Sequence, residues 1–159
     1  MRPPASAARQ PMSMEIHFAG MDDEAFVRKF ETAGWPADQW HHREHIKIAY
    51  LYLRRYSFQD ALLRLRAGIL ALNASHQVPE SPQRGYHETT TQAWLQLVQV
   101  TLDLYGPGDT ADAFYEQNPQ LSQKKALRLF YSPQQFNSPT AKAQFIEPDL
   151  APLPRVNGR

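Results

Sequence analysis

Three histidines carry the chemistry this chain could do. In the stretch WHHREHIKIAYLYL, from Trp40 to Leu53, His42 and His45 lie one helical turn apart. Both fall on the stripe His42, His45, Ala49, Leu53 and Tyr56, with Tyr52 beside it, which helical spacing turns inward. A third, His87, heads a similar stripe with Thr91, Trp94, Val98, Thr101 and Tyr105. Three neutral imidazoles can hold a divalent first-row ion and leave positions open for water or substrate. Zinc, iron and nickel all suit such nitrogen ligands. Glu88, next to His87, reads either as a general base or fourth ligand, or as a carboxylate stabilised by the dipole of a helix start. Tyr86 reads as a hydrogen-bond donor into the site or as a loop cap. His41 lies on a flanking face, and Glu44 reads as a solvated ion pair with Lys47. His76 ends a third stripe, where a hydrogen-bonded core histidine is the more ordinary role. No H-E-x-x-H motif is present, and the absence of cysteine removes thiolate ligands and nucleophiles.

The elements that must position these residues are helical. The prolines leave long windows whose apolar residues recur at three and four rather than alternating. The first helix is DDEAFVRKFETAG, with Asp22 as N-cap and Gly34 as stop. The second runs from Trp40 or His41 to Tyr56. Ser57, with Asp60 three residues on, caps a third helix through His76. The fourth is YHETTTQAWLQLVQVTLDLY, and Asp109 and Asp112 open a short fifth. Asn118 and Pro119 start a sixth that ends near Tyr131. Beyond Pro133 the chain reads as an extended, proline-spaced tail with one turn after Ser138. A faint strand pattern appears only at Glu15–Phe18.

The levels follow from helix rise. Only Ser57 separates helices two and three, so they form an antiparallel hairpin. From His42 to Tyr56 is about 21 Å, and the third helix descends the same distance before reaching His76. The loop from Gln77 to Gly85 is short enough to start the fourth helix at that end. His42, His45, His76 and His87 therefore converge on one end of an all-α bundle of about six helices.

Composition narrows the function classes. The chain has 159 residues and a net charge of +1, from 17 basic and 16 acidic side chains. That near balance disfavours a nucleic-acid binder. No apolar run approaches a membrane span. The first 14 residues read as a disordered arm, with the start displaced to Met12 or Met14, followed by one helical domain over 15–155. Without an apolar signal segment the expected compartment is the cytoplasm.

The H-x-acid-H of His42, Glu44 and His45, the YHET of Tyr86–Thr89 and the later EPDLAPLP make the chain resemble a family of small, uncharacterised bacterial all-helical proteins. The resemblance spans Trp40 to Pro154. It implies a stand-alone bacterial domain with His42, His45 and Tyr86–Thr89 as its distinctive positions, and no activity comes with it.

The expected function is a metal-dependent enzyme acting on a small molecule. His42, His45 and His87 hold the ion, Glu88 moves protons and Tyr86 orients the substrate. The alternative is a non-catalytic module that binds a small ligand or protein partner through the same pocket. A third reading makes the histidines purely structural.

Overall fold

The computed structural model describes residues 22–155. Those residues form helices α1 (Asp23–Glu31), α2 (His42–Arg55), α3 (Phe58–Ser75), α4 (Glu88–Tyr105), α5 (Ala111–Gln117), α6 (Pro133–Phe136) and α7 (Pro139–Ala143). Among the described residues there is no strand, only an isolated bridge between Ser81 and Arg84. The all-α architecture is as the periodicity requires. The expectations for the N-terminal arm and for Glu15–Phe18 lie outside the described residues.

Helix α2 is the axis of the fold and packs against α1, α3, α4 and α5. It is therefore buried on every side from Ile46 to Leu53 rather than along one stripe. Lys47 is drawn in with it. Its ammonium lies 2.9 Å from Asp112 and 4.4 Å over the Phe26 ring, so it serves α5 and not Glu44. Helix α1 docks through Phe26, Val27 and Phe30, each worth about 1.5–3 kcal/mol of burial. Phe30 lies so close to Gly68 that a Cβ there would fall 2.1 Å from the ring. Gly68 is thus what lets α3 approach α1.

Capping matches the sequence at some ends and departs from it at others. Asp22 accepts from the Glu24 N–H, and Ser57 from the Asp60 N–H. Thr110, rather than Asp109, caps α5 through its hydroxyl. Helix α1 does not stop on Gly34. Ala33 takes the left-handed conformation (φ 54) and the Gly34 N–H donates back to the Lys29 carbonyl at 2.8 Å. Gln77 (φ 58) plays the same part after α3, with Val78 N–H donating to Asn73. In both turns the returning hydrogen bond offsets the modest strain of a non-glycine residue at positive φ.

The sixth helix expected from Asn118 to Tyr131 is two short 3-10 turns, Pro119–Ser122 and Ala126–Leu129. Asn118 is spent elsewhere, its side-chain amide donating to the Phe114 carbonyl. The tail is more structured than its prolines suggest. Ser132 and Ser138 each cap a one-turn helix with proline in its first turn. The segment then lies along α4. Tyr131 donates to the Ile146 carbonyl, the Gln96 amide to Pro154, and Leu153 is buried in a second small core with Ala93, Leu127 and Tyr131.

Candidate functional site

Helices α2, α3 and α4, with the loop residues before α4, line a partly open cavity of about 260 Å³. Its apolar wall is Ile46 and Ala49 from α2, Leu65 and Ile69 from α3, and Leu95 from α4. The polar lining is His42, His45, Asn73, Tyr86, His87, Thr90 and Thr91, with the Trp94 indole. His42, His45 and His87 thus border one space, together with Tyr86. Glu88 and His76 are not among its lining residues.

Each ring has a definite hydrogen-bond assignment. The Trp40 indole N–H donates to His45 Nε2 at 2.7 Å. An indole nitrogen can only donate, so His45 Nε2 holds a lone pair and the proton of the neutral ring sits on Nδ1. His42 Nε2 lies 2.7 Å from the Leu121 carbonyl, which can only accept. His42 therefore carries its proton on Nε2 and a lone pair on Nδ1. His87 accepts from the Thr90 N–H at Nδ1 and donates from Nε2 to the Phe136 carbonyl, so both its nitrogens are engaged. His87 is the N-cap of α4 and a tie to the tail, with its ring stacked on Phe136 at 4.6 Å.

These commitments set what the cluster can offer. Among the described residues neither His42 Nδ1 nor His45 Nδ1 has a hydrogen-bond partner. Nor is either sealed in, since the one side-chain polar atom there that is both buried and unpartnered is Trp35 Nε1. Two residues that line the cavity thus keep an uncommitted ring nitrogen, His42 Nδ1 as an acceptor and His45 Nδ1–H as a donor. As hydrogen-bonded here, the three rings present a single free lone pair, whereas an ion held by all three needs three. Among the described residues no group of three or more His, Asp or Glu side chains is arranged around a common ion position.

Burial keeps the rings neutral. It pushes His45 down to about 4, with the neighbouring His42 adding to the shift. His42 is lowered mainly by burial, against its bond to Leu121 and with help from Lys124. His87 is likewise lowered by burial, partly countered by Phe136. The Trp40 ring stacks on Phe30 at 5.2 Å, and Trp94 meets the His42 ring edge-on at 4.6 Å. Aromatic packing thus fixes the two imidazoles on the cavity wall.

Glu88 is committed to structure. Arg66 of α3 grips both its oxygens, with Nε 2.8 Å from Oε1, and the Tyr86 hydroxyl donates to Oε1 at 2.7 Å. The Arg66 guanidinium holds the Glu88 carboxyl below the usual range, which makes it a weak base. Burial, with the Glu88 carboxylate beside it, raises Tyr86. Tyr86 is placed by Gly85, whose φ of +98 and missing Cβ leave room for the Glu80 carboxylate. Glu80 in turn accepts from the Tyr86 N–H and pairs with Lys142. Glu44 caps α2, accepting from the His41 N–H at 2.8 Å. His76 donates to the Trp35 carbonyl at 2.6 Å and holds the loop after α1.

Sequence reasoning missed Trp40 as a partner of His45, Trp94 and Asn73 as lining residues, and Arg66 as the partner of Glu88. Trp94 stood on the stripe that begins at His87. Nothing in the spacing marked Arg66, which is one of two arginines on α3. Comparison with protein-family models, with curated proteins and with solved structures gives no match. No helix among the described residues is long and apolar enough to cross a membrane.

Proposed function

We propose that this chain is a non-catalytic binding domain for a small molecule held in the cavity between α2, α3 and α4. One observation carries the reading. His42 and His45 each spend one ring nitrogen on the fold and leave the other unpartnered among the described residues, one as acceptor and one as donor, and both residues line the same partly open, mostly apolar cavity. Concave, mostly apolar pockets with a few fixed polar groups are how proteins hold small ligands. The fitting ligand presents a donor and an acceptor side by side, as an amide edge does, on a compact apolar body.

The test is a fragment screen read by NMR on the full chain and on Ala49→Met, which fills the cavity from α2. Neutral heteroaromatic amides should shift the ring signals of His42 and His45 and the indole of Trp94, and Ala49→Met should abolish those shifts. Hits scattered over the surface, or hits indifferent to Ala49→Met, would sink the binding reading.

The second reading is a metal-dependent enzyme, favoured by the fact that three imidazoles line one cavity. His42, His45 and His87 would hold zinc, iron or nickel, with Glu88 and Tyr86 beside them. It requires His45 to release Trp40 and His87 to release Thr90 or Phe136. Stoichiometric metal in untagged protein, lost in His42→Ala, would select it.

A further inference from the structure

A second hollow, about 580 Å³, opens beside the histidine cavity. Thr90 and Trp94 line both, so the two spaces adjoin along these two side chains. The outer hollow differs in charge. Lys124, Lys125 and Arg128 line it, and no aspartate or glutamate does. All three cations are exposed. Elsewhere Arg43, Lys47, Arg55, Arg66 and Lys142 each meet a carboxylate, but Lys124, Lys125 and Arg128 form no ion pair among the described residues. The whole chain carries a net charge of only +1, so three unneutralised cations on one hollow concentrate positive potential there. The floor beneath them is aromatic and apolar, built from Trp94, Leu127, Tyr131 and Phe136. Lys124 also lies near enough to His42 to oppose its protonation, which ties the basic rim to the inner ring.

We infer that the ligand is an organic oxyanion, whose acid group sits among Lys124, Lys125 and Arg128 in the outer groove while its apolar body passes Trp94 into the histidine cavity. The inference rests on the binding reading above and deepens it by naming the ligand's charge. The rim cations neutralise the acid group, whether carboxylate, sulfonate or phosphate. The neutral rings of His42 and His45 meet the body, and as uncharged groups they add nothing to the attraction for the anion.

The experiment uses an isosteric pair, 2-naphthoate and 2-naphthamide, titrated against the full chain with Trp fluorescence as the readout. At low salt the naphthoate should bind about tenfold tighter than the amide, from three exposed charges each contributing modestly. That advantage should vanish near 0.5 M salt, where screening is nearly complete (about 4 Å). In the variant Lys124→Gln, Lys125→Gln, Arg128→Gln the naphthoate should fall to the level of the amide, and the amide should be unchanged. Because all three side chains are exposed, the variant's melting temperature serves as the folding control. Ala49→Met should weaken both compounds. Equal binding of the two compounds, or a naphthoate affinity untouched by the triple variant, would overturn the oxyanion while leaving the cavity reading intact if Ala49→Met still weakens both. A naphthoate that depends on the three cations but ignores Ala49→Met would overturn the passage into the cavity, and the binding reading with it. No binding of either compound at millimolar concentration overturns the proposal.

Discussion

Acidification should destabilise this protein through His45, and the effect can be isolated. The perturbation is a drop from pH 7 to pH 4.5 in wild type and in His45→Gln. Glutamine can still accept from the Trp40 indole but does not titrate. The folded His45 is pushed down from 6.5 to about 4. Between those values the unfolded chain binds a proton that the folded chain refuses, so stability rises with pH across that window. His45's contribution is fully present above about pH 6.5 and is lost progressively as pH falls toward 4. Each unit is worth about 1.4 kcal/mol, and the part of the window above pH 4.5 gives about 2–3 kcal/mol. Water entering the cavity trims this to about 2 kcal/mol. Urea unfolding followed by Trp fluorescence at several pH values measures it as the difference between the two proteins' losses. His42 and His87 add destabilisation of the same sign, common to both proteins, and cancel in that difference. Parallel pH profiles, differing by less than about 0.5 kcal/mol, would refute the reasoning that burial keeps His45 neutral against its Trp40 donor.

Two further outcomes test the frame around the site. Arg66→Met should cost about 2 kcal/mol by leaving the buried Glu88 carboxylate with only Tyr86, and adding Glu88→Gln should recover much of that in a double-mutant cycle by urea denaturation. Gly68→Ala should cost about 1–3 kcal/mol, seen as a lower melting temperature, because the new methyl meets the Phe30 ring and α3 must move off α1.

What the sequence by itself determined is what local chemistry can decide. Helical spacing of apolar residues, the Asp22 and Ser57 caps and the short link of Tyr56 and Ser57 between α2 and α3 are local signals. They sufficed for the all-α class, the packing of α2 against α3 and the arrival of His42, His45 and His87 at one cavity. What tertiary structure decided is where two or more segments compete for the same group. Asn118 could have capped a helix, but packing turns its amide to Phe114 and the following segment breaks into 3-10 turns. Lys47 could have paired locally with Glu44, but α2 is buried on all sides and Asp112 of α5 is the acid within reach. Glu88 could have been a base, but Arg66 sits opposite it on α3. The same holds for each imidazole. Spacing brings the rings together, but which nitrogen is free depends on Trp40, Leu121, Thr90 and Phe136. Leu121 and Phe136 belong to segments far along the chain, and a hydrogen bond across such a distance leaves no periodic trace in sequence, because it depends on how whole helices dock.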